Sequence, residues 1–292
     1  MKPAPFEYRR PATVAAALAD LADSEGARVL AGGQSLVPLL SLRLATPPVV
    51  VDINRVEGLD AITERDGRVF IGATARQATV LDAVRPTLPL VAVALARVAH
   101  PQVRARGTLV GNLCHHDPAS EMPAVAVALD ADFTVVAPDG SSATVAAADF
   151  FLGSFEVAVP PGGLVTGVSF PVAAPGTGAG FYEITRKAKD FPLIAAAAQL
   201  TVADGAVTDA RVAVTGLTHT PVRMSAVESA LVGGPPTAEA IRDAARRAHA
   251  EVLAEVNTRS PAGYRSRVLP VVVARALKSA ALDVPADLEV AP

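Results

Sequence analysis

The chain has 292 residues, 51% of them hydrophobic and 19% charged, with a formal net charge of −3. That length admits two domains, and that balance supports packed cores and excludes wholesale disorder; a slightly acidic chain has no electrostatic footprint for nucleic acid. Cys114 is the only cysteine, so there can be no intrachain disulfide and no all-cysteine iron–sulfur cluster held by this chain alone, since such a cluster takes four thiolates.

The N-terminal "MKPAPFEYRRPATV" carries charges where a secretory signal needs an apolar segment. No uninterrupted apolar run reaches the roughly 18 residues of a spanning helix. A cytoplasmic protein without a transmembrane segment is the expectation. Pro11–Arg28 has apolar residues at helical spacing and Gly26 to stop the helix. "VLA" then reads as a short buried strand, followed by Gly32-Gly33 and a helix through "LVPLLSLRL", with Ser35 placed to cap it and Pro38 in its first turn. Pro47–Ile53 and Arg68–Ala73 are β-branched and strand-like, and helical segments follow at about Arg76–Val84 and Leu88–Ala99.

Gly107–Ala131 begins as a glycine-punctuated loop and turns helical near Pro118. "DFTVVAPDG" and "GGLVTGVSFP" are strand candidates, and the Pro/Gly-rich Pro171–Gly180 is the best domain boundary in the chain. Beyond it come three strand candidates, Phe181–Lys187, Ile194–Ala203 and Ala206–Gly216. Three helical segments follow, at about Met224–Val232, Ala238–Val256 and Ala262–Leu282. Strands followed by helices predict an α+β layer.

Two segments carry the chemistry. In "AGGQS" (Ala31–Ser35) glycine permits close approach of a ligand, and successive N–H groups at a turn make an anion-binding concavity. Gln34 and Ser35 add neutral donors and no Lys or Arg intrudes, which suits a phosphate held for orientation rather than transferred. The same composition also serves a plain strand-to-helix turn. The second segment, "RARGTLVGNLCHHDPASE" (Arg104–Glu121), offers Thr108 and Asn112 as phosphate donors around Gly107 and Gly111. Asp117 and Glu121 lie downstream, as acidic residues do on ribose hydroxyls in other dinucleotide sites. Neither segment matches G-x-G-x-x-G or the Walker pattern. Together they point to a dinucleotide.

"CHHD" (Cys114–Asp117) packs ligand types together, but adjacent residues seldom face one ion and no second cluster completes a tetrahedron; no metal site is expected. Cys114 beside a histidine also suggests a thiol nucleophile, a geometry that sequence neighbours rarely have. His115 and His116 read as lining a cleft or bonding locally, and Arg104 and Arg106 as contacts to phosphate or to a partner subunit.

"VLAGGQSLVPLLSLRLATPPVVVDI", "RVFIGATARQATV" and "HPQVRARGTLVGNLCHHDPASEMPAVAVALDA" resemble the FAD-binding medium subunit of the xanthine dehydrogenase and carbon monoxide dehydrogenase (molybdenum hydroxylase) family. "GLVTGVSFP", "FYEITRKAKDFPLIAAAA" and "YRSRVLPVVVARALKSA" are similar to its C-terminal domain. The resemblance implies an α+β protein. Its first part is a two-part FAD-binding domain of the vanillyl-alcohol-oxidase/PCMH type over residues 1–173, with subdomains at about 1–55 and 56–173. Its second is a C-terminal domain over 178–285 with a three-stranded antiparallel sheet and helices. It also implies that Ala31, Gly32, Gly33, Gln34, Ser35 and Leu36 wrap the FAD pyrophosphate with Thr108, Gly111 and Asn112. Asp117 and Glu121 would then lie near ribose and pyrophosphate, Val165 at the flavin, and Lys187 or a neighbour as a flavin-side cation.

The implied activity is electron transfer from iron–sulfur clusters of a small subunit through FAD to an external acceptor. A large molybdopterin subunit would complete a dimer of heterotrimers. A self-sufficient FAD-dependent oxidoreductase acting directly on a small molecule is the alternative, and a non-enzymatic α+β interaction protein a third. Two departures stand out. Val110 replaces the first glycine of a Gly-Gly pair, so either its φ is negative or the loop shifts. Cys114 and His116 take positions usually held by small residues.

Overall fold

A computed structural model describes residues 2–252 and 263–283. It divides into two compact units: one runs to Ala83 and adds His100–His116 and Ala131–Phe170, the other takes Val84–Ala99, Asp117–Asp130 and the chain from Pro171 on.

In the first unit, three short strands form a parallel sheet in the order Glu7–Arg9, Val49–Asp52, Arg28–Leu30. Val49–Asp52 is the middle strand and is buried at every position, which is why it reads as an unbroken β-branched run rather than an alternating one. The Val14–Ala22 helix is capped by Thr13, whose side chain accepts from the Ala16 N–H at 3.2 Å. A second sheet orders Ile62–Arg65, Arg68–Gly72, Leu164–Pro171, Asp132–Val136 and Ser142–Ala146. Phe133, Phe150 and Phe170 are fully buried, and the rings of Phe133 and Phe150 stack with centroids 3.6 Å apart.

The second unit is built on an antiparallel sheet of Thr177–Thr185, Pro192–Ala203, Ala206–Thr215 and Val222–Arg223. The second and third long strands fall where the sequence puts them, whereas the first begins at Thr177, inside the Pro171–Gly180 stretch expected to be a linker, and ends before Lys187. The expected three-stranded sheet is corrected to four by a two-residue edge strand too short to show a pattern of its own. The alanines at 195–198 are wholly buried, and their small side chains admit the Tyr264–Asp283 helix against the sheet. Gly180 lets that helix come close, because a Cβ there would stand 2.0 Å from the Ala276 carbonyl oxygen. The helices Pro89–Leu95 and Met122–Ala128, apolar nearly throughout, also pack on this sheet. The predicted Ala238–Val256 helix is α-helical over Ala238–Arg246 and tightens to a 3₁₀ turn at Arg247–Ala250; its last residues lie outside the described ones.

Candidate functional site: two loops that meet at one carbonyl

Ala31–Ser35 and the glycine-bearing part of the second segment, up to His116, belong to the first unit and come together there. A Cβ at Gly32 would stand 2.5 Å from the Arg106 carbonyl oxygen, 2.6 Å from Gly107 Cα and 2.9 Å from the Thr108 nitrogen. Gly32 has no positive φ, so its requirement is space rather than conformation. Gly33, at φ +73°, supplies the turn itself. Across the same junction, a Cβ at Gly111 would lie 3.8 Å from Ala31 Cβ. Among the described residues no protein acceptor takes the N–H groups of Gly32, Gly33, Gln34 or Ser35, leaving a run of neutral donors for an anion. Gln34 folds its side-chain amide back onto the Gly32 carbonyl at 3.3 Å. Leu36 opens the helix Leu36–Ser41, but Ser35 does not cap it with its side chain. Its own backbone is already α-helical (φ −103°, ψ −48°), not the extended conformation an N-cap uses.

The second segment is helical earlier than its glycines suggest. Residues Leu109–His115 form a helix, and Thr108 is its cap: the Thr108 Oγ1 accepts the Gly111 N–H at 3.1 Å. The hydroxyl hydrogen remains as a donor. Gly111 therefore sits in a first turn rather than a loop, and an added Cβ would be 2.5 Å from that same hydroxyl oxygen. Val110 keeps a negative φ and is buried, so its branched side chain faces the core and the loop need not shift. Asn112 lies one turn on and accepts the His116 N–H through its carbonyl at 3.3 Å.

Residues outside both segments hold them in place. Asn54 Nδ2 donates to the Ala31 carbonyl at 2.8 Å, and Asn54 Oδ1 accepts from Arg76 Nη2 at 2.6 Å. Arg76 Nη1 donates to the Arg106 carbonyl at 2.7 Å. Asp52 accepts from the Asn54 N–H at 2.9 Å, from its side-chain amide, and from the Tyr8 hydroxyl. Burial would raise the Asp52 carboxyl, but these hydrogen bonds outweigh it and hold the group below its usual range. Gln77 donates its N–H to the Gly107 carbonyl at 2.8 Å, and among the described residues its buried Oε1 has no protein partner. The available signal was positional: "DIN" ends a buried strand and "ARQ" follows within a few residues of another, each placing polar residues near a strand end.

Val165 is in the five-stranded sheet, paired with Val135 beside a bulge. His116 ends its helix in the left-handed region and is buried against Phe151, with Nδ1 3.3 Å from the Glu156 carbonyl oxygen; His115 lies against Phe155. Burial pushes the Cys114 thiol up to about 12, the opposite of a nucleophile's tuning.

Asp117, Glu121 and Lys187 belong to the second unit. Asp117 Oδ1 accepts the Ala119 N–H at 2.9 Å. Glu121 is 4% exposed, and its carboxyl is raised to about 7 by burial, with Glu183 and Asp117 adding to the effect and Lys189 opposing it. Lys187 is exposed on the turn between two strands, whereas Lys189, at φ +66°, reaches the Ala96 carbonyl at 2.7 Å.

Residues 4–173 match the family described as the FAD binding domain in molybdopterin dehydrogenase, and residues 179–280 the CO dehydrogenase flavoprotein C-terminal domain. This chain belongs to the FAD-binding medium subunits of molybdenum hydroxylases. It is 35% identical to the carbon monoxide dehydrogenase medium chain of Afipia carboxidovorans over 96% of this chain and 98% of that one. It is 38% identical to the 6-hydroxypseudooxynicotine dehydrogenase complex subunit alpha of Paenarthrobacter nicotinovorans over 96% of each. A structure of carbon monoxide dehydrogenase from Hydrogenophaga pseudoflava lacking the Mo-pyranopterin moiety of its molybdenum cofactor superimposes with a TM-score of 0.92 at 35% identity. That match covers 98% of this chain and 100% of that one. The medium subunit is thus a flavoprotein component of an oxidoreductase, with FAD as its cofactor. The junction fits the group: bare Cα atoms where backbone must approach, amides without protein acceptors, and no competing cation in the first loop.

Proposed function

We propose that this chain is the FAD-carrying electron-transfer subunit of a molybdenum hydroxylase-type dehydrogenase. It would receive electrons from iron–sulfur clusters of a small partner subunit and pass them through FAD to an external acceptor. A molybdopterin large subunit would act on the substrate, the assembly being a cytoplasmic dimer of heterotrimers. The observation that carries the reading is the meeting of Gly32 with Arg106 O and Gly107 Cα: two distant segments offer one continuous backbone surface of the kind a diphosphate needs. Bound FAD supplies the redox chemistry, and the protein's part is position and electrostatics.

In this reading Ala31–Leu36 and Thr108, Gly111 and Asn112 hold the diphosphate with neutral donors. Asp117 and Glu121 serve the ribose and pyrophosphate, and Val165 and Lys187 the flavin; these last roles rest on the family resemblance. We likewise assign residues 1–173 to a PCMH-type FAD-binding domain and 178–285 to a C-terminal domain. The single thiol supports the need for a cluster-bearing partner. Native co-purification with an absorption spectrum tests the proposal: flavin bands with iron–sulfur-bearing partners are expected. A lone chain that is flavin-loaded and turns over a small molecule by itself would refute it. Among the described residues no helix is long and apolar enough to cross a membrane.

A further inference from the structure

We infer that Arg76 and Asn54 are positioning residues of the flavin site, a clamp that fixes the gap between its two loops without touching the cofactor. The inference rests on the diphosphate reading above and goes beyond it. Arg106 O is at once the atom nearest to where a Cβ on Gly32 would stand and the acceptor of Arg76 Nη1. Asn54 Nδ2 holds the Ala31 carbonyl. In a trans peptide the N–H points opposite the C=O, so that one bond aims the Gly32 N–H away from Asn54. The two holders are joined to each other through Arg76 Nη2 and Asn54 Oδ1, and the chain of contacts continues to Asp52 and Tyr8. Asp52 orients the Asn54 amide, so its Nδ2 faces acceptors and its Oδ1 faces the guanidinium. Loop two is also bound to the Arg76 segment by backbone, through Gln77 N–H to Gly107 O and the bridge between Arg76 and Thr108. A planar guanidinium can span two acceptors at a set distance; an ammonium acts as a point charge.

The test compares FAD with FMN, which has one phosphate and no diphosphate to span the loops. Dissociation constants of the flavin-stripped full chain for both are measured by fluorescence quenching, with its melting temperature. Arg76→Met should weaken FAD binding about 10- to 100-fold, the range for loss of hydrogen bonds from a charged group, while FMN binding changes far less, so the FAD/FMN preference collapses. Arg76→Lys should restore folding and only part of the preference. Asn54→Ala with Arg76→Met should cost little more than the worse single change, because the two act as a unit. An equal fall for both flavins, or an unchanged preference in the well-folded Arg76→Lys chain, overturns the clamp. A wild-type chain that shows no preference for FAD overturns the diphosphate reading instead, and the clamp with it.

Discussion

Replacing Gly32 by alanine adds a single carbon where the loops meet. That carbon would stand 2.5 Å from Arg106 O and 2.6 Å from Gly107 Cα. Ordinary contact begins near 3.4 Å, so the loops must part by about 0.9 Å at backbone atoms that have no rotamer to yield. Moving Arg106 O away stretches its 2.7 Å bond to Arg76. Overpacking costs about 1–3 kcal/mol, and a weakened bond to a charged group about 1.5–3 kcal/mol. A loss of stability of about 2.5–6 kcal/mol is therefore expected, the upper end only if the Arg76 bond is lost outright. Amide donors displaced by most of an ångström lose hydrogen-bond length to a phosphate oxygen, and losing two such bonds at about 1.5–3 kcal/mol each weakens FAD binding by roughly two to four orders of magnitude. Flavin absorbance per chain and an FAD titration read the second effect, apo-chain melting the first. Gly234→Ala is the control, since its nearest neighbour would be 4.0 Å away and its φ is ordinary. If Gly32→Ala keeps wild-type flavin content with an affinity within a few-fold of the control, the loops do not meet at that carbonyl and the reasoning fails.

Glu121 predicts a pH dependence. Its carboxyl lies near 7 when folded against 4.5 for the free group, so the folded chain holds a proton that the unfolded chain releases. Glu121 thus lowers stability as pH rises from about 4.5 to 7, by on the order of 3 kcal/mol, and the effect is flat above that window. In Glu121→Gln this slope should be absent, as read from urea midpoints at pH 5 and pH 8; equal slopes in both chains would contradict it. Cys114, with its thiol pushed to about 12, should have about one thiolate in ten thousand at pH 8. It should react slowly with thiol reagents at pH 8 in the folded chain, although the residue is only half-buried, and quickly in urea; fast labelling of the native chain at pH 8 would contradict the raised thiol.

Much of the fold could be read along the chain because its signals are local. The buried run Val49–Asp52 has the β-branched composition of a central parallel strand, and the three long strands of the second unit follow their apolar patterns to within a few residues. Errors arose where glycine has more than one use. Gly111 reads as loop in the sequence, yet it serves a helix's first turn by leaving room for the Thr108 hydroxyl. Ser35 has a cap's identity without a cap's backbone angles. Val222–Arg223 joins its sheet through two pairings too brief to leave a period. Asn54 and Arg76 are not legible in the sequence because polar residues after strands are common, and nothing local distinguishes a clamp from a solvated turn.

The amino-acid order by itself determined that two stretches of backbone lie bare, that neutral donors surround them, that one thiol cannot hold a cluster, and which family carries these features. Those are properties of residue type and spacing, and they survive without coordinates. Only the tertiary structure decided that Gly32 abuts Arg106 O, that Asn54 aims the first amide, and that Arg76 ties both loops to one frame. Contacts between residues so distant in the chain depend on how strands register and pack, and the free energy that selects one register is shared among many buried side chains rather than written in either loop.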